Sequence, residues 1–217
     1  MKKRILVMLC FIAATNLTTL ASDYEKGMLK GKEMLINAKT AEESANVTSY
    51  FERIATAYKN EWLPLYYAAY ASLGTGFKQE KTKDKDEWYE KGLEFIDRAK
   101  AIKKDESELM AMEGYLKLMY ISNSPMLRAP MQTGDAMELL DQAKKLNPNN
   151  PRPWLIQGQH TFHTPEFFGG GAKNALPMVE KANALYKSFT PANQLMPIWG
   201  KERCEKLISQ CNSARKD

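Results

Sequence analysis

Two short spacings dictate how neighbouring helices of this chain must meet. In Ala136-x3-Leu140-x2-Ala143 two small residues flank a large one on a single helical face, and Pro148 ends that helix. Trp154-x3-Gly158 follows directly, setting a large knob and a small hole one turn apart on the next helix. Small residues let two helix backbones approach closely while Leu140 fills the space between them. The stretch therefore reads as the second helix of one hairpin, a tight proline turn, and the first helix of the next.

The pattern recurs. Gly92-x3-Ile96-x2-Ala99 and Ala175-x3-Val179-x2-Ala182 repeat the small-large-small spacing, Gly114 stands where Gly158 does, and Val47-x3-Phe51-x2-Ile54 is a looser copy. Successive large residues, Phe51, Ile96, Leu140 and Val179, lie 45, 44 and 39 residues apart. These residue classes at these spacings resemble the tetratricopeptide repeat, whose period is about 34 residues. The longer offsets imply insertions within the repeats. The resemblance implies an all-α superhelix of about four helical hairpins with a C-terminal capping helix, in which stacking neighbours bury faces that no hairpin can bury alone.

Periodicity predicts helices over 24–38, 42–58, 61–76, 84–102, 106–121, 134–146, 152–163, 172–187 and 193–211, and no segment alternates as a strand would. Pro64, Pro153 and Pro197 fall near predicted helix starts, where a missing N–H costs little. Pro125, Pro130, Pro165 and Pro191 fall in predicted loops, and Pro177 lies early in the eighth helix.

Lys2, Lys3 and Arg4 precede an apolar run, Ile5 to Ala14, too short to span a bilayer, and Thr19-Leu20-Ala21 ends in a small residue. This predicts a signal peptide over 1–21, a repeat domain over 22–217, and a periplasmic or secreted protein with no membrane span after cleavage. Loss of the three basic residues lowers the formal charge from +5 to +2, which removes any electrostatic case for nucleic acid. Cys204 and Cys211 remain. Seven residues of continuous helix separate Cα atoms by about 10.5 Å, against a disulfide limit of about 7 Å. A bond therefore requires the last helix to end between them; otherwise both are semi-buried thiols.

In the family that this chain resembles, the first helix of each repeat lines a concave groove. That register places Tyr66 and Tyr70 on the groove in the second repeat, Glu108 and Tyr115 in the third, and Arg152, Gln159, Phe162 and His163 in the fourth. Tyrosines offer a rigid ring with a hydroxyl handle, and an arginine fork suits a carboxylate. The face is mostly aromatic and apolar, so a hydrophobic or mixed peptide fits it better than a charged tail. A second surface is expected where the insertions 77–83, 122–133 and 163–171 lie side by side. There Arg128, Phe167 and Phe168 form a candidate binding edge, unless the two phenylalanines fold back over helix ends.

Chemistry has few footholds. His160, His163 and Glu166 lack zinc-site spacing, and Gly169-Gly170-Gly171 matches neither phosphate-loop pattern. No catalytic residue, metal or cofactor is assigned. The reading is an exported, non-catalytic scaffold for a protein or peptide partner. The alternative is a periplasmic small-molecule carrier or ligand-binding component of an uptake system; a closed cavity near Tyr66, Tyr115 and Phe162, rather than a long open groove, would favour it.

Overall fold

A computed structural model describes residues 22–214; the expected signal peptide lies outside the described residues. The elements are α1 (22–37), α2 (Ala41–Ala57), α3 (Leu63–Phe77), α4 (Thr82–Ile102), α5 (Ser107–Ser122), α6 (Pro125–Leu146), α7 (Arg152–His163), a short 3-10 turn (Glu166–Phe168), α8 (Ala172–Ser188) and α9 (Lys201–Ala214). Among the described residues there is no strand. The chain is an all-α superhelix whose helices pack in consecutive pairs, α1 with α2 through α7 with α8, and α9 covers the end of the stack.

The small positions act where the spacing places them. A Cβ on Gly92 would stand 2.7 Å from Leu116 Cδ2, one on Gly114 2.9 Å from Leu140 Cδ2, and one on Gly158 2.6 Å from Val179 Cγ2. Each glycine is thus the hole into which the large residue of a neighbouring helix fits, and a methyl group there would overpack the contact. Leu140, Val179 and Ile96 are fully buried, as are the alanines beside them.

Local chemistry fixes the turns. Thr40 Oγ1 accepts from the Glu43 amide while Glu43 Oε2 accepts from the Thr40 amide, a reciprocal cap that starts α2. Between α6 and α7 the buried Asn150 donates to Ser107 Oγ at 2.9 Å, Ser107 donates to the Ala143 carbonyl at 2.8 Å, and Asn150 Oδ1 accepts from the Arg152 amide at 3.0 Å. This network ties the proline turn to α5.

Three expectations need correction. Helix α6 begins at Pro125 rather than 134, so 122–133 is mostly helix; Pro125 occupies the first turn, and Pro130 lies inside the helix rather than in a loop. Pro177 lies early in α8, where it was expected. The last helix begins at Lys201 rather than 193, and residues 189–200 form an irregular strap. Cys204 and Cys211 are both buried, free, and on the uninterrupted α9, so the helix does not end between them and no bond can close. Burial pushes the Cys204 thiol up to about 11, and its Sγ donates to the Val179 carbonyl.

The apolar interior divides in two. One cluster spans α1 to α6 and takes in Ile156 of α7, and a smaller one joins α7, α8 and α9 through Leu155, Leu176, Val179, Cys204 and Leu207. Trp199, on the strap, packs against both.

Candidate ligand-binding site

On α3, α5 and α7, Tyr66 and Arg152 meet on Glu108, and Tyr70, Tyr115 and Gln159 share one cleft, so the six lie along one face. Much of that face is already filled, by the chain itself. Tyr67 donates to the Leu195 carbonyl at 2.7 Å, Arg152 Nη2 to the Pro197 carbonyl at 2.6 Å, and Lys32 to the Met196 carbonyl at 3.1 Å. Trp199 Nε1 donates to Tyr66 Oη at 2.8 Å, and the indole lies nearly parallel to the rings of Tyr70 and Tyr115 at 5.0 and 6.1 Å. The concave face thus holds a peptide by its backbone carbonyls and one aromatic anchor, and that peptide is the strap.

This arrangement corrects the expected partner groove. Arg152 is completely buried, its Nη1 on Glu108 Oε1 at 2.8 Å, and it has no free fork to offer a visiting carboxylate. Tyr66, also buried, donates to Glu108 Oε2 at 3.3 Å. Burial raises the Glu108 carboxyl above the usual carboxylate range, with the Arg152 guanidinium pulling the other way. Burial also raises the Tyr66 phenol, with the Glu108 charge adding to it. These side chains are the strap's anchorage. Phe162 is half-buried and packs towards the α8–α9 cluster, and His163 is exposed.

An open part of the concave face remains between the end of α3 and α9. It is a cleft of about 500 Å³ walled by Tyr70, Leu73 and Phe77 of α3, Tyr115 of α5, Gln159 and His163 of α7, and Arg203, Lys206, Leu207 and Gln210 of α9. Leu35 and Ser44 close its α1–α2 side, and Lys78 stands at the end of α3. The volume lies inside the range of about 300–1,000 Å³ typical of small-ligand sites. The Tyr70 and Tyr115 phenols are raised by burial, with the Arg203 charge opposing the shift, so both stay protonated and present neutral rings. Of the expected groove residues, Tyr70, Tyr115, Gln159 and His163 line this cleft. Phe77, Lys78, Arg203 and Lys206 were not foreseen.

The expected binding edge separates into two kinds of residue. Arg128 is committed within the fold: both of its Nη atoms bond Asp86, the closer at 2.6 Å, and its guanidinium lies 3.7 Å from the Tyr120 ring centroid. Phe167 and Phe168 are 91% and 70% exposed, packed edge to face on each other, and do not fold back. Gly169 ends the 3-10 turn that carries them and Gly171 starts α8, both at positive φ. Substituting both with Ser is therefore expected to change unfolding free energy by less than about 0.5 kcal/mol, as measured by urea denaturation. A loss several times larger would mean that the rings cover helix ends after all.

Burial, with a smaller contribution from His163, lowers the His160 imidazole. Among the described residues no group of three His, Cys, Asp or Glu side chains converges as a metal site, and no helix is long and apolar enough to cross a membrane.

No protein-family model matches this chain, and no curated protein matches it. Among solved structures, the HusA haemophore from Porphyromonas gingivalis is similar, with a TM-score of 0.78 and 26% sequence identity over 88% of this chain and 93% of that one.

Proposed function

We propose that this protein is an exported, non-catalytic carrier that holds a haem-class tetrapyrrole in the cleft between α3 and α9. The observation that carries the reading is the cleft itself: a concave, aromatic-walled cavity of about 500 Å³ left open where the rest of the groove is sealed by the strap. The likeness to a haemophore across most of both chains supports the same ligand class. Sealing of the groove counts against an extended peptide as the occupant and favours a compact ligand.

The side chains present fit such a ligand. A tetrapyrrole is a flat apolar ring bearing carboxylates at one side; the exposed Phe77 supplies a ring for it to pack on, and Tyr70 and Tyr115, stacked on Trp199, supply the wall behind. Leu35, Leu73 and Leu207 exclude water around it, and the cations at the rim meet the acids. His163 is the one histidine among the lining residues, and an imidazole nitrogen is a ligand type that a haem iron would accept. The paired-helix architecture positions these groups: α3, α5 and α7 give one wall, and α9 gives the other.

Titration of residues 22–217 with haemin tests the reading. A saturable shift of the Soret band at one haem per chain, with a dissociation constant on the order of 1 μM or tighter, is expected. Replacement of Tyr70 and Phe77 by Ala should weaken binding by at least about tenfold through lost ring contact. Haemin that stays unbound, or binds without saturating, would reject the carrier assignment.

A further inference from the structure

Helix α9 presents Arg203, Lys206, Leu207 and Gln210 at i, i+3, i+4 and i+7, which brings all four onto the face that lines the cleft. Lys78, at the end of α3, also lines it. No Asp or Glu is among the lining residues. Among the described residues none of the three cations makes an ion pair. Arg203 Nη1 donates to Tyr115 Oη at 2.5 Å, and Lys78 Nζ donates to Ser44 Oγ at 2.9 Å and to the Gly74 carbonyl at 3.4 Å, all neutral acceptors.

Arg152 with Glu108, Arg128 with Asp86, and Lys100 with Glu113 are ion pairs outside the cleft; the cleft cations have no such partner. Holding a cation in a partly desolvated place without an anion is unfavourable, and burial lowers the Lys78 ammonium accordingly. Lys78, Arg203 and Lys206 around one cavity, with no carboxylate in its wall, leave a local positive field that an anionic ligand would neutralise.

We propose that Lys78, Arg203 and Lys206 form a carboxylate clamp that makes the cleft select acidic ligands over their neutral esters. The clamp rests on the carrier reading above for its natural ligand, a tetrapyrrole diacid, and adds to it the feature that sets specificity. The planar Arg203 fork takes one carboxylate through two parallel N–H donors, while Lys206 and Lys78 act as point charges. The aromatic wall holds the ring whether or not the acids are free, so the ester separates the two contributions.

The test uses residues 22–217 and tryptophan quenching by metal-free protoporphyrin and by its dimethyl ester, with Arg203→Gln, Lys206→Gln and the double variant. The diacid should bind at least tenfold tighter than the diester. Each Gln variant should lose about tenfold for the diacid and keep its diester affinity, with an unchanged melting temperature. Equal affinity for acid and ester, or variants indistinguishable from the parent, overturns the clamp while leaving the carrier reading standing. If neither porphyrin binds, the probes become anilinonaphthalene sulfonate and the neutral phenylnaphthylamine. Preference for the sulfonate that vanishes in the double variant supports the clamp and rejects the tetrapyrrole; no preference overturns the clamp as well.

Discussion

Replacing Arg152 with Ala is expected to lower the free energy of unfolding by about 3–5 kcal/mol, the cost of leaving a buried charge without its partner. Glu108 would lose the guanidinium that opposes its burial, and the Pro197 carbonyl would lose its donor. The effect should be far smaller when the partner goes too. An Arg152→Met, Glu108→Leu double variant removes both charges and retains apolar volume, so it should recover most of the loss and finish about 1–2 kcal/mol below the parent. Urea denaturation of the three proteins measures this directly. A single variant within 1 kcal/mol of the parent would mean that the pair is not enclosed as described.

The second large effect falls on Trp199. This indole stacks near-parallel to Tyr70 and Tyr115, donates to Tyr66, and touches both apolar clusters, so it joins the larger cluster to the smaller one. Trp199→Ala should cost about 3 kcal/mol in stability, the lower end for removing a large aromatic because the ring is only partly buried. It should also weaken ligand binding, because Tyr70 and Tyr115 lose the ring that holds them against the cleft. Trp199→Phe keeps the stacking but not the N–H donor, and should cost about 1 kcal/mol. If Trp199→Ala melts within a degree or two of the parent, the strap is not what holds the concave face closed.

The helical hairpins could be read from the sequence because they rest on local spacing. Gly92, Ile96 and Ala99, like Ala136, Leu140 and Ala143, recur within one helix, and each set is buried as a unit. The placing of Tyr66, Tyr70 and Tyr115 on a common groove is an implication of the repeat-family resemblance, not of the spacing itself. The start of α6 did not, because Pro130 normally argues against a helix interior. Near the N-terminal end its missing N–H removes a single bond, and the Arg128–Asp86 pair, with Asn123 donating to the same carboxylate, ties that end to α4.

The strap was invisible for a different reason. Periodicity carries a helix back to 193, whereas the role of residues 189–200 depends on contacts more than a hundred residues away, such as Trp199 with Tyr66. Its occupation of the groove is what turns candidate partner residues, Arg152 and Glu108 above all, into internal anchors. The cations of the cleft escaped because they sit on the end of α3 and on the capping helix, not on the concave faces of the first helices. The i, i+3, i+4, i+7 set of Arg203, Lys206, Leu207 and Gln210 was the signal available, and it shares Leu207 with the buried face that docks on α8.

Where a bound tetrapyrrole sits decides whether this is the ligand site. Intermolecular nuclear Overhauser contacts between metal-free protoporphyrin and isotopically labelled residues 22–217 would locate it. The macrocycle protons should touch the rings of Tyr70, Phe77 and Tyr115 and the methyl groups of Leu207. Contacts instead to Phe167, Phe168 and Met131 on the exposed edge would contradict the assignment and move binding to the opposite kind of surface.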